Sequence, residues 1–389
     1  MAQQNTISFD ASSLQVRSVV DTFKLVRPRE YPFLKWASGG SDDAPALNNL
    51  SKTPTSTKYE WGDKDDFPRK TKLAADIDNS SGSLSVTVAD APFMIIGFVI
   101  QVDEEVMLVT AKGNSSTGVV GVTRGWAGTS AAAHATDAVA EVVDMVHAEG
   151  GDSTDDHYTS ANLFYNYFKE MSREINISDM RMGVEVIGAD DVLEEESAQK
   201  MRGVFEIFEK SSWRGLRVDP AANAGKGQFG GVLTFTDPDL VFDAGGSALT
   251  KEMMRNLWKK SVDQIGVNGA PDTLFVGSWG KIKVNELYKS EPILYADAFQ
   301  RTGGVVIDTI INDFGVATDV VLDPWMPENW VAALKSDTVK IGPLPQNEFR
   351  RKHLGTSGSG ERFELVGAYT EEWQGRYTRW VIKNISTTV

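Results

Sequence analysis

The sequence predicts an α+β protein built from more than one folding unit, with a small all-β segment set inside it. Three observations predict this. Residues 82–147 break into short β-branched runs punctuated by glycines, residues 191–214 carry one long amphipathic pattern, and residues 250–322 alternate helical and strand-like segments. A chain of 389 residues also exceeds the roughly 250–300 residues at which one hydrophobic core stops growing.

Residues 1–36 alternate apolar and basic positions and close on Arg27-Pro28-Arg29-Glu30-Tyr31-Pro32-Phe33-Leu34, where two prolines favour extended backbone. The segment reads as an arm. From Ser51 to Asp78 the chain is polar, with Tyr59, Trp61 and Phe67 at strand spacing among Lys64, Arg69, Lys70 and Lys72. It is too polar to have a core of its own and reads as a loop that orders against a neighbour. Leu84 to Val88, Phe98 to Val102, Val106 to Thr110, Val119 to Thr123 and Val139 to Val143 then make a compact β set. Its Thr123 to Thr129 stretch reads as a tight turn packed under Trp126 rather than as a ligand loop.

The strongest helix runs from Asp191 to Arg214, about 36 Å at 1.5 Å per residue. Val192, Leu193, Met201, Val204, Phe205 and Phe208 form one apolar stripe. Asp191 sits at N-cap spacing from Glu194, and Lys210 and Arg214 suit the C-terminal end before Gly215. Gly203, in the middle, predicts a bend or close packing. A second helix follows over Thr250–Ile265, then a strand at Asp272–Val276, a helix at Ser278–Tyr288, and strands at Val305–Ile311 and Thr318–Leu322. Phe363 to Ile385 reads as a hairpin turning at Gln374-Gly375.

Catalytic and metal chemistry finds no footing. The chain has 0 cysteines, which excludes disulfides, thiolate metal sites and cysteine nucleophiles. Gly225 to Gly230 fits G-x-G-x-x-G, but it follows a helix and leads into the strand-like Val232-Leu233-Thr234-Phe235, the reverse of a dinucleotide site. Asp313-Phe314-Gly315 lacks the other kinase motifs, and Ser197 to Lys200 and Ser278 to Lys281 lack the partners of an S-x-x-K hydrolase. His134, His147, His157 and His353 form no helical ligand pair, and Asp152, Asp155 and Asp156 lack calcium-loop spacing. A net charge of −15 opposes phosphate binding, so any DNA contact would be local, with Arg17, Lys24, Arg27, Arg29 and Lys35 the basic cluster available. No run of about 18 apolar residues exists to span a membrane, and a soluble protein made in the cytosol is expected.

The order of these elements resembles the major capsid proteins of tailed bacteriophages with the Hong Kong 97-like fold. The passages that carry it are Tyr31 to Leu34, Lys58-Tyr59-Glu60-Trp61, Asn312 to Pro327 and Gly367 to Glu372. The resemblance implies a layout. Residues 1–50 are the N-terminal arm and entry to the peripheral domain, and 51–81 and 148–178 are the outgoing and returning limbs of an extended loop. Residues 82–147 are an inserted β-barrel-like domain, 179–245 the peripheral domain with a spine helix at 190–214, 246–335 the axial domain, and 336–389 the closing peripheral strands. Arg27, Arg29, Tyr59, Trp61, Lys64, Phe67, Arg69 and Lys70 are then expected at inter-subunit contacts, and Leu193, Met201, Val204, Phe205 and Phe208 under the spine helix.

The function implied is self-assembly into hexamers and pentamers of an icosahedral head enclosing double-stranded DNA, with no enzyme activity and no cofactor or metal. Its partners are other copies of itself, with scaffolding, portal and decoration proteins beside them, only weak nonspecific contact with the packaged DNA, and no membrane. Localisation would be the virion capsid, assembled in the host cytoplasm. No long helical segment precedes the arm, so an internal scaffolding domain is not expected. An encapsulin-like compartment would share the fold, but the inserted segment and the motif order argue against it.

Overall fold

Short-range sequence signals and long-range strand pairing together divide the chain into two compact units, Gly62–Phe164 and the rest. The computed structural model describes residues 30–41, 45–64, 70–88, 90–150, 161–183, 191–288, 308–356 and 358–387. Arg17, Lys24, Arg27, Arg29, Phe67, Arg69 and the Asp152–Asp156 acids lie outside the described residues.

In the larger unit the chain enters through helix α1 (Pro32–Ser38) and strand β1 (Lys58–Lys64). The Tyr31-Pro32 passage was expected to be extended. Instead Pro32 occupies the first helical turn, where its missing N–H costs no hydrogen bond and its fixed φ suits a helix.

The smaller unit holds β2 (Lys70–Lys72), β3 (Ser83–Ser85), β4 (Phe98–Val102), β5 (Glu105–Ala111), β6 (Val119–Thr123) and β7 (Val139–Met145). They pair in the order β2-β7-β4-β5-β6-β3, every pair antiparallel. A bridge between Leu73 and Val86 then joins the two outer strands, with Ala74 N donating to Ser85 O at 2.8 Å and Thr87 N to Lys72 O at 3.3 Å. The sheet is therefore a closed barrel, a construction that removes free strand edges. Leu73, Leu84, Val86, Ile100, Met107, Val109 and Val120 fill it. Only glycine fits at Gly113, whose N–H reaches Met94 O at 3.0 Å and whose Cβ would stand 1.9 Å from Ala91 O. The unit is wider than the 82–147 read from the β-branched runs. The polar stretch before Asn79 supplies β2, Leu73 and Ile77 to this core, because alternate inward positions suffice when the outward ones are charged.

The chain returns through β8 (Ala161–Tyr167), which pairs with β1 as a two-stranded ribbon, and continues into β9 (Lys169–Ser178), the one-turn helix α2 (Asp179–Met182) and the long helix α3 (Val192–Arg214). Asp191 caps α3 by accepting from Leu193 N at 2.8 Å. Gly203 lies within one continuous helix and makes no close contact, since a Cβ there would meet open space. At the other end, Gly215 and Gly231 let two backbone turns meet, Gly231 N donating to Gly215 O at 2.9 Å. A Cβ on Gly231 would lie 2.2 Å from Ser212 O. Val232–Phe235, expected as a strand, is the short helix α4, because the glycine turn feeds it into a half-buried corner and not onto a sheet edge. That change does not create a nucleotide site. The loop before it is closed by a Val218–Gln228 bridge, and the space beside Gly230 and Gly231 is filled by Thr234 and Ser212.

Two sheets complete this unit. The first has the order β10-β18-β14-β11-β13-β12, formed by β10 (Val241–Asp243), β11 (Thr273–Val276), β12 (Thr309–Ile311), β13 (Ala317–Leu322), β14 (Val331–Leu334) and β18 (Arg379–Lys383). Helix α5 (Lys251–Ile265), capped by Thr250, packs Met254, Leu257 and Trp258 on it, and α6 (Ser278–Tyr288) adds Val284. The second sheet is built on the 14-residue β17 (Gly360–Trp373). β9 pairs along it, as do β16 (Arg350–Thr356) and β15 (Val339–Pro343). The closing segment is thus not a hairpin. After Gln374-Gly375 the chain leaves one sheet for the other, because β18 pairs with β14 and β10 instead of folding back on β17.

Candidate inter-subunit surface and the core that holds it

The β1/β8 ribbon is fixed at its root by alternation. Tyr59 and Trp61 point inward and are 6% and 7% exposed, so their own chain buries them and leaves a neighbour little of either ring. Tyr59 Oη donates to Glu372 Oε2 at 3.1 Å, and burial pushes its hydroxyl up to about 12. Trp61 Nε1 donates to Trp373 O at 3.1 Å, and the ring lies 5.2 Å from Phe235. Their two-residue spacing, read as strand-like, fits the alternating burial of β1, and both rings make contacts within their own chain. Lys64 and Lys70 face solvent, the latter 3.4 Å from Glu141, as do Lys58 and Glu60, which pair with each other. Tyr165 on β8 carries the Lys58 ammonium at 4.1 Å and the Arg217 guanidinium at 3.9 Å from its ring centre.

Helix α3 lies on the second sheet through Val204, Phe205 and Phe208, all buried, with Leu193 and Met201 half-buried towards its N-terminal end. Phe208 meets Tyr369 at 5.9 Å, and Phe205 sits between Tyr31 at 5.6 Å and Phe349 at 5.8 Å. Each such side chain contributes roughly 1.5–3 kcal/mol by burial. Sequence reading missed the polar continuation of this stripe. Glu209, Ser212 and Trp213 follow Phe205 and Phe208 at three- and four-residue steps and are fully buried. A glutamate in register with an apolar stripe was the available signal.

Those residues build an acidic core under α1. Glu209 Oε1 accepts from Phe33 N at 2.8 Å. Its Oε2 is buried with no donor, and its neighbour is the equally buried Asp323. Both oxygens of Asp323 already accept, from Trp213 Nε1 at 2.6 Å and Trp325 N at 2.8 Å. Asp323 is thus the better-stabilised anion. A proton on Glu209 Oε2 lets that carboxyl donate to Asp323 and resolves the unpartnered atom. Burial first, and the Asp323 charge second, push Glu209 up to about 10.

A second buried acid, Glu371, accepts from the Ser212 hydroxyl and from Trp373 Nε1 at 2.9 Å, and burial raises it to about 8. Around these acids Phe33 lies among Trp213, Phe275 and Trp373 at 5.0–5.9 Å. Trp36 Nε1 reaches Thr273 Oγ1 at 3.0 Å, Tyr31 Oη reaches Arg202 O at 2.7 Å and Trp325 Nε1 reaches Glu30 O at 2.8 Å. The Tyr31–Leu34 passage is therefore fixed in this core.

In the barrel, Glu105 takes the corresponding role with the opposite charge state. Arg124 grips it through two 2.7 Å bonds, and His134 Nε2 lies at 3.0 Å. Gly125 N and Ala132 N also donate to it. These donors outweigh burial and hold Glu105 down at about 2. This network shapes the turn. Trp126, expected to pack over it, is 38% exposed. Among the described residues no group of three or more acids and histidines is placed to hold a metal ion. No helix there is long and apolar enough to cross a membrane.

The model of the SU10 major capsid protein family matches residues 2–386. No curated protein matches. Among solved structures, the capsid of the empty GTA particle computed with C5 symmetry aligns with a TM-score of 0.53 at 9% identity, covering 98% of this chain and 99% of that one. The capsid of the native GTA particle gives 0.51 at 10% identity, over 98% and 99%. The holo-SrpI encapsulin complex from Synechococcus elongatus PCC 7942 gives 0.44 at 12% identity and covers 60% of this chain and 80% of its own. The mixed α/β fold is thus that of phage-type capsid proteins, and the match over nearly every residue carries the rest: the chain belongs to the SU10 major capsid protein family, as a structural shell protein and not an enzyme.

Proposed function

We propose that the chain forms hexameric and pentameric capsomers of an icosahedral head around double-stranded DNA, in the Hong Kong 97-like arrangement. The family match over residues 2–386 carries this reading. In it, α3 is the spine of a peripheral domain, residues 246–335 are the axial domain, and the ribbon β1/β8 is the root of an extended loop that reaches a neighbouring subunit. The barrel is a domain inserted in that loop. Lys64 and Lys70 are the described contact residues exposed where a neighbour can reach them, while Tyr59 and Trp61 fix the root.

Heterologous contacts of this kind close into rings when each subunit both donates and accepts one. A charge of −15 keeps adhesion to packaged DNA weak and nonspecific. Scaffolding, portal and decoration proteins and assembly in the host cytoplasm belong to the same reading. Negative-stain microscopy of the expressed protein tests it, with closed shells or rings as the expected particles. A monodisperse monomer under every assembly condition would overturn it.

A further inference from the structure

Between the start of α5 and the turn joining β12 to β13 lies a small cavity of about 40 Å³, lined by residues that include Lys251, Arg255, Trp258, Tyr288, Asn312 and Asp313. Two of its lining groups are buried donors with no acceptor. Trp258 is 2% exposed and its indole Nε1 has no partner; Asn312 is 8% exposed and its Nδ2 has none. The Asn312 amide cannot be turned round to remove the problem. Its Oδ1 accepts from Phe314 N at 3.1 Å and from Val316 N at 2.9 Å, so Nδ2 must face the other way. An unpartnered buried donor costs roughly 1–3 kcal/mol, and two at one cavity call for an acceptor there.

The charge around the cavity says which acceptor. Lys251 lies over the Tyr288 ring at 4.6 Å, and Arg255 pairs with Asp313. Lys251 and Arg255 belong to the first two turns of the 15-residue α5, where the positive end of its dipole favours an anionic acceptor. The volume is about three times the ~10–15 Å³ that one water needs, which suits a group of a few heavy atoms. We propose that this cavity is a carboxylate-binding site in which the Trp258 indole N–H and the Asn312 amide donate to one acidic group, with the positive end of α5 supplying the field. The carboxylate is either a free small anion or an Asp or Glu side chain of a second copy of this chain.

The test uses the full-length, unassembled subunit and sodium formate, with sodium chloride at equal ionic strength as control. The Trp258 indole and Asn312 side-chain amide resonances, assigned from Trp258→Phe and Asn312→Asp, are expected to shift together and saturate in formate only. Asn312→Asp keeps the acceptor for Phe314 and Val316 while removing the donor, and Trp258→Phe keeps an aromatic side chain while removing the indole N–H. Each should weaken formate binding about tenfold or more. Unresponsive resonances, or equal shifts in chloride, mean a water-filled cavity only and overturn the proposal, whether or not the chain forms shells. Assembly followed by light scattering separates the two sources. Formate that slows association of the wild type but not of Trp258→Phe identifies a neighbour's side chain; formate that binds without changing the rate identifies a free anion.

Discussion

A buried proton is the feature of single residues that most governs this chain's response to pH. Between its ordinary 4.5 and about 10, Glu209 is neutral when folded and ionised when unfolded. Its contribution is therefore fully present below 4.5 and is lost as pH rises toward about 10, at a slope of about 1.4 kcal/mol per unit for one proton. Glu371 acts with the same sign up to about 8. Glu105 in the barrel has the opposite sign, its contribution being present above 4.5 and lost as pH falls toward about 2. Glu209→Gln keeps an acceptor for Phe33 N and gains a fixed donor toward Asp323. It should cost little at pH 6, and its urea midpoint should fall less than that of the wild type between pH 6 and pH 9. Equal pH dependence in both proteins would place the proton elsewhere. The place of Glu209 in the apolar stripe was legible beforehand but its pairing was not, because Glu209 and Asp323 are 114 residues apart in the sequence and only the fold brings them together.

For the elements, legibility followed locality. Asp191, Thr250 and the apolar spacing of α3 and α5 specify caps and buried faces within a few residues of themselves, and both helices were read to within a residue of their ends. The apparent hairpin at the C-terminus failed for the converse reason. Alternation in Phe363 to Tyr369 identifies a strand but does not say which strand it pairs with, and β17 pairs with β9, β15 and β16 while β18 pairs with β14 and β10. Two substitutions test the reading of α3. Gly203→Ala has open space for its methyl and should raise stability by about 1 kcal/mol, read as a higher denaturant midpoint. Phe208→Asp places a carboxylate where the wild type is 0% exposed and should cost several kcal/mol, on the order of 3–5, leaving little soluble subunit. Normal expression and melting of the aspartate variant would show that the stripe is not a packing face.

At the scale of the whole molecule, the division of labour between the two units sets the last prediction. The barrel closes its own sheet through the Leu73–Val86 bridge and fills it from residues 73–142, so its hydrogen-bond ladders and its core are complete without strands from elsewhere. The larger unit likewise draws its clusters from outside Gly62–Phe164. The excision boundary matters, because cutting at Gly82 would strip β2 and Leu73 of their partners. Replacing residues 70–150 with a short Gly-Ser linker removes the barrel strands together and keeps β1 and β8, which pair with each other. The excised protein is expected to fold, with near-ultraviolet circular dichroism from the Phe33–Trp213–Trp373 cluster retained and a melting temperature within a few degrees of the wild type. It should still assemble, into particles that fall apart at lower temperature than wild-type ones. The 70–150 fragment alone should give the far-ultraviolet signature of β structure with a cooperative melt. A subunit that no longer folds after this excision, together with an unfolded fragment, would mean that the two cores depend on each other and that the barrel is no separable insertion.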